Sequence, residues 1–167
     1  MRTGPILAYS SLVHTEALPF KHLVDVGWED IDPLGHASNI AYVRWIQDSA
    51  VAHSEAMGLT FAAYQRLGAI FVIRRHEIDY LRPVLRGDRL EVRTWISSVS
   101  AAKCQRATDI VRVGDGVVVA KALTTWGNVD VSTGRPTRIA EEVREAFGVQ
   151  GTPRAPTPPA QQESIQT

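Results

Sequence analysis

From His22 to Trp28 the side chains alternate, with Leu23, Asp25 and Gly27 set against Val24, Val26 and Trp28. That period of two predicts a first strand. A turn-rich run follows, Glu29-Asp30-Ile31-Asp32-Pro33-Leu34-Gly35-His36-Ala37-Ser38-Asn39. From Ile40 to Met57 there is neither Gly nor Pro, and Gly58 marks the stop. This is the pattern of a helix with Ser38 or Asn39 as its N-cap. Counted from Asn39 it has nineteen residues, roughly 28 Å at the α-helical rise. Its apolar positions include Ile40, Val43, Trp45, Ile46, Ala50, Val51 and Met57. They cover more than one narrow stripe, which predicts a helix wrapped by the rest of the domain rather than laid on its surface.

Residues 60–67 predict a second, short helix, and four strands follow over about 69–82, 88–99, 103–113 and 117–129. In the second of these, Leu90, Val92, Thr94 and Ile96 alternate with Arg89, Glu91, Arg93 and Trp95, so one face is buried. Asp115-Gly116, between Val111-Arg112-Val113 and Val117-Val118-Val119, is a hairpin signal. Ala140 to Phe147 predicts a terminal helical turn or two. One long helix and about five strands make an α+β pattern, and a curved antiparallel sheet around that helix would satisfy both surfaces. The expected organisation is an irregular segment over 1–19, one domain over 20–147, and a tail over 148–167. The tail carries Pro153, Pro156, Pro158 and Pro159 of the chain's nine prolines and is rich in Gln. Such a segment buries too little apolar surface to offset its ordering entropy, so disorder is expected.

The 167-residue length suits one domain with a real core. Lys+Arg and Asp+Glu number 18 each, so no global field draws the chain to nucleic acid or to an anionic membrane. An anion site must therefore be local. One cysteine, Cys104, excludes an intrachain disulfide and fits a reducing compartment. No signal peptide and no run of about eighteen apolar residues is visible. A cytoplasmic location is expected.

The chemistry concentrates in the turn before the long helix. Asp30-x-Asp32-x-x-Gly35-His36, then Asn39 and the aromatic Tyr42, resembles the 4-hydroxybenzoyl-CoA thioesterase family of hotdog proteins. The likeness continues through Asp79-Tyr80-Leu81-Arg82-Pro83-Val84-Leu85-Arg86-Gly87-Asp88. It ends over Trp126 to Asp130 and Thr133-Gly134-Arg135-Pro136, covering about residues 20–147 in all. The resemblance implies a hotdog fold and hydrolysis of acyl thioesters of coenzyme A or acyl carrier protein, without metal or cofactor. It also implies a homodimer or homotetramer, because members of that family pair their sheets edge to edge.

In the relatives the second Asp of the turn, here Asp32, acts either as general base on water or as a nucleophile forming a mixed anhydride. On its own residues, Asp32 before Pro33 is equally an Asx-turn former. The oxyanion needs donors, and a helix N-terminus offers unpaired N–H groups with a favourable dipole. The resemblance places these at Asn39, with Ile40 as a second amide. His36 corresponds to an active-site histidine in the long-chain and plant acyl-carrier-protein branches, where it would orient Asp32, the water or the carbonyl. The plant branch has an Asn two residues after the Asp, whereas Leu34 stands here.

Other groups read more simply. Asp30 shapes the turn, and Tyr42 packs or lines the pocket. His14, His22, His53 and His76 read as packed or half-exposed histidines, and Cys104 as a small buried apolar group. Asp48 and Glu55 read as solvated helix charges. Arg74, Arg75, Arg82, Arg86, Arg89 and Arg106 sit on or between strands; a few would reach nucleotide phosphates, while each singly reads as coating the outer sheet. No His/Cys/Asp cluster has metal-ligand spacing. Two other functions compete. One is a hotdog hydratase adding water to an enoyl thioester, although its Gly-Asp-x-Asn-Pro-x-His motif is absent. The other is a non-catalytic acyl-CoA-binding module.

Overall fold

The computed structural model describes residues 18–149. His14, most of the N-terminal segment and nearly all of the Pro/Gln-rich tail lie outside these residues. Five strands and three helices follow the order β1 (Phe20–Asp25), α1 (Asn39–Ala56), α2 (Phe61–Leu67), β2 (Ala69–Tyr80), β3 (Arg89–Val99), β4 (Lys103–Arg112), β5 (Val118–Asp130) and α3 (Glu141–Ala146). The strands form one antiparallel sheet in the order β1-β3-β4-β5-β2. The expected α+β architecture of one long helix on a five-stranded sheet is therefore present. Among the described residues no helix is long and apolar enough to cross a membrane.

The first strand stops earlier than its alternation predicts. Val26 leaves the β1–β3 ladder because its amide donates to Asp88 O (2.9 Å) and its carbonyl accepts from Gly87 N (3.0 Å), both in the β2–β3 connection. Trp28–Asp30 then form a single 3-10 turn, which Gly27 N tightens by donating to the Asp30 carboxylate at 2.9 Å. The hairpin at Asp115-Gly116 forms as expected, with Gly116 at φ +70°, a left-handed conformation that disfavours a Cβ.

Helix α1 is capped by Ser38, whose hydroxyl accepts from Ala41 N at 3.2 Å. It buries Ala41, Tyr42, Trp45, Ile46, Ser49 and Ala50. Trp45 and Ile46 are fully enclosed, and truncating a core residue of this size costs about 2–5 kcal/mol. In one chain, however, the helix is laid on the sheet rather than wrapped. Ile40 is 81% exposed and Val51 55%, so the second apolar stripe read from the sequence faces outward. The period of α1 alone could not tell which of its stripes the chain's own sheet covers.

The core divides in two. Around the N-terminal half of α1, Trp45 and Ile46 pack with Val84, Leu90, Val92, Ile110 and Val119. Beyond its C-terminal half, Leu59, Cys104, Ile139 and Val143 pack with Phe71, Ile96, Trp126 and Phe147. Buried Thr94, Arg106, Thr108 and Thr124 belong to neither cluster.

Candidate active site

The turn before α1 is held from below by its own backbone and by the β2–β3 connection. Asp32 N donates to His36 O (2.9 Å), Gly35 N to Asp32 O (3.0 Å), Ala37 N to Val84 O (2.8 Å) and Ser38 N to Asp30 O (2.7 Å). Gly35 takes φ +85°, which explains a glycine at the tip of this turn. The Asp79–Asp88 stretch thus matters as a support: its Val84 is fully buried and its Asp88 carboxylate accepts from Leu85 N at 3.0 Å.

The two aspartates of the turn part company. Asp30 is 1% exposed; its carboxylate accepts from Gly27 N and pairs with the Arg44 guanidinium one turn into α1. It is a tie between turn and helix, as its sequence position predicts. Asp32 is half-buried. Its Oδ1 accepts from Leu34 N (2.8 Å) and His36 N (3.4 Å), the Asx-turn geometry that the Asp-Pro step allows. Oδ2 has no hydrogen-bond partner among the described residues. The carboxylate is anchored through one oxygen and presents the other.

Seven residues after Asp32, the amides of Asn39 and Ile40 open α1 and have no acceptor among the described residues, the Ser38 hydroxyl being taken by Ala41. Asn39 and His36 are both exposed. The imidazole of His36 makes no hydrogen bond among the described residues. Around this turn lies exposed apolar surface: Trp28 at 73%, Leu34 at 81% and Ile40 at 81%. The Arg86 guanidinium sits 3.9 Å above the Trp28 ring. Tyr42 packs rather than lines an opening, edge-on to Tyr80 at 5.0 Å; burial first, then Tyr80 and Asp88, raises its pKa.

A cavity of about 220 Å³ lies elsewhere, at the C-terminal half of α1, where Ala50, Ser54, Leu59, Phe71, Ile96 and Phe147 supply much of its wall. Ala50 is eleven residues beyond Asn39, about 16 Å along the axis. A single chain therefore does not bring Asp32, His36 and Asn39 to this cavity. His53 and Arg106 meet beside it, Arg106 Nη1 lying 2.9 Å from His53 Nδ1. Burial, then the Arg106 charge, lowers the His53 pKa to about 4. Burial also raises the Cys104 thiol to about 11, which fits an inert packed cysteine.

Arg106 corrects the reading of the strand arginines as an outer coat: it is 4% exposed. The signal was present in β4, where Cys104, Arg106, Thr108 and Ile110 share one parity and are all buried. Asp48 is solvated as read; Glu55 is exposed but stands among the cavity residues.

A family model described as "Thioesterase-like superfamily" matches residues 26–147. Two chloroplastic acyl-acyl carrier protein thioesterases of Arabidopsis thaliana are similar in sequence. One is 26% identical over 121 residues, 71% of this chain and 63% of the relative. The other is 24% identical over 151 residues, 88% of this chain and 78% of the relative. The chain thus spans less than two thirds of the first relative. In three dimensions it resembles a putative oleoyl thioesterase of Lactobacillus plantarum, with TM-score 0.78, 19% identity, and coverage of 90% of this chain and 60% of that one. It also resembles a 1,4-dihydroxy-2-naphthoyl-CoA thioesterase of Synechocystis, with TM-score 0.72, 18% identity, and coverage of 77% and 95%.

Proposed function

The chain belongs to the thioesterase-like superfamily and has its hotdog fold, and from that premise we propose that it hydrolyses an acyl thioester of coenzyme A or acyl carrier protein to the free acid and the thiol. What supports this reading is a carboxylate held by one oxygen in the turn that leads into a long helix whose first amides, at Asn39 and Ile40, have no acceptor among the described residues. A thioester carbonyl directed at those amides gains two hydrogen bonds as its oxygen becomes an oxyanion, where the helix dipole also favours negative charge.

Asp32 then delivers the oxygen. As general base, its free Oδ2 takes a proton from water while the water oxygen bonds to the carbonyl carbon. The tetrahedral intermediate collapses, the C–S bond breaks, and the proton on Asp32 passes to the departing thiolate. As nucleophile, Oδ2 itself bonds to the carbonyl carbon and expels the thiolate, and water then cleaves the anhydride. His36 serves as an auxiliary, orienting the water or the carbonyl. The motif order within the superfamily favours the 4-hydroxybenzoyl-CoA thioesterase type; the Arabidopsis relatives support a carrier-protein handle and the Synechocystis neighbour a coenzyme A one. The exposed Trp28, Leu34 and Ile40 around Asp32 suit coverage by a second copy, which would close the open side of the site.

Thiol release from a panel of acyl-CoAs, varying chain length and including aromatic acyl groups, tests the activity. Asp32→Ala should lose about 10²–10⁴-fold in kcat with the fold retained, and His36→Ala should lose less. Full activity of Asp32→Ala, or a larger loss from His36→Ala, would remove this mechanism. Loss of enoyl absorbance without thiol release would assign hydration instead.

A further inference from the structure

The proposed chemistry leaves Arg106 and the cavity beside it unused. Arg106 stands at the cavity floor with Cys104, both nearly inaccessible, whereas Val51 and Phe61, also among the cavity residues, are 55% and 66% exposed and mark its rim. The strand register builds that floor: Arg106 pairs with Ile96 on β3 and Thr124 on β5, and Cys104 pairs with Trp126. The walls are mostly apolar, with Ser54, Glu55 and Tyr64 as further polar lining.

A buried guanidinium normally has a carboxylate partner, because its charge has left water. Among the described residues Arg106 has none. Only Nη1 is engaged, with His53 Nδ1 at 2.9 Å and Thr94 Oγ1 at 3.2 Å; both partners are uncharged, His53 being held neutral by burial and by Arg106 itself. Phe147 covers the guanidinium at 5.6 Å. Nε and Nη2 have no acceptor among the described residues. Glu55 reaches the cavity but lies beyond ion-pair distance of Arg106.

We propose that this cavity binds a small apolar group ending in a carboxylate, which sets its oxygens on the free edge of Arg106 at the floor and its apolar body toward Val51 and Phe61. The paired Nε and Nη2 donors match a carboxylate's two oxygens. A phosphate would bring more charge than one guanidinium balances, into a lining whose other polar side chains are the Ser54 and Tyr64 hydroxyls and the Glu55 carboxylate, which repels an anion. The 220 Å³ volume lies below the roughly 300–1,000 Å³ of drug-sized pockets, which suits a short chain or a single ring. Two sources share this chemistry. One is a free carboxylic acid, the product of thioester hydrolysis; the other is an acyl thioester with a second carboxylate at its far end. Both as sources rest on the hydrolysis proposed above, but binding itself does not.

The test is calorimetry on the full chain with hexanoate and with hexanamide, which differ only in the charged end. Hexanoate should bind at least about tenfold more tightly, as loss of a charge-assisted hydrogen-bonded pair implies. Arg106→Gln should erase that difference. Equal affinity for acid and amide, or an unchanged preference in Arg106→Gln, would overturn the proposal, as would absence of heat with hexanoate. Turnover of hexanoyl-CoA against adipoyl-CoA separates the sources. A preference for adipoyl-CoA that Arg106→Gln removes assigns the far end of a substrate. Equal turnover with inhibition by hexanoate in the parent chain alone assigns the free acid. If neither thioester is cleaved, the hydrolytic reading fails while calorimetry still decides the site.

Discussion

Two aspartates separated by one residue show how burial sorts chemistry from scaffolding. Asp30 spends both carboxylate oxygens on Gly27 N and Arg44, so nothing is left for a substrate. Asp32 spends one. The sequence motif carries that division because the Asp-Pro step fixes an Asx-turn whose second oxygen points away from the backbone it anchors. Arg106 was legible only through the parity it shares with Cys104, Thr108 and Ile110, since an arginine on a strand otherwise reads as solvated. The histidine beside it yields a pH dependence. His53 titrates near 4 in the folded chain against 6.5 ordinarily. Between those values the unfolded chain holds a proton that the folded one refuses, so unfolding is favoured as pH falls through that window. Denaturant unfolding should therefore show stability falling from about pH 6.5 toward about 4. His53→Asn should flatten that slope in part; His76, lowered by burial, and Glu91, Asp115 and Asp130, lowered by their hydrogen-bond partners, retain the rest. An identical slope in the variant would mean that His53 takes up its proton as easily folded as unfolded.

At the level of elements, the strands on both sides of α1 were legible because their periods are clean and their turns are chemically marked. Gly116 and Gly134 hold left-handed positions, and the Asp130 carboxylate accepts from Ser132 N and Thr133 N to close the exit of β5. The end of β1 was not legible, because Val26 continues the alternation while its hydrogen bonds go to the β2–β3 connection. The start of α1 was legible to within one residue, and the structure selects Ser38 over Asn39 as cap. That choice has a consequence for function. With Ser38 capping Ala41 N, the amides of Asn39 and Ile40 stay available. Ser38→Ala should cost about 1 kcal/mol in unfolding experiments. It also loosens the first turn, where Ala41 N is left with only its bond to Ser38 O at 3.0 Å, so kcat should fall more than KM changes. A stability loss with kcat untouched would show that the first turn of α1 is not where the carbonyl oxygen is held.

For the whole molecule the unresolved surface is the outward one. β2 is twelve residues long and ends the sheet, pairing only with β5 among the described residues, and an edge of that length invites another strand. The outer stripe of α1 carries Ile40, Val43 and Val51 at helical spacing, with Ile40 and Val51 exposed. A helix with a second apolar stripe that its own sheet leaves uncovered is what the proposed second copy would account for. A two-fold pair would shelter the β2 edge, the α1 stripe and the apolar rim of Asp32 together. Sedimentation velocity should give twice the 18.4 kDa of one chain, or a higher even multiple. Gln47 lies exposed on the same stripe, between Val43 and Val51. Gln47→Arg costs the single chain little, because the position is already solvated, but a two-fold axis nearby would duplicate the new charge at close range. That variant should shift toward the single-chain mass and lose thiol release in parallel. A parent chain sedimenting at 18.4 kDa with full activity would mean that Asp32 works on an open surface, and the outer stripe of α1 would then need another explanation.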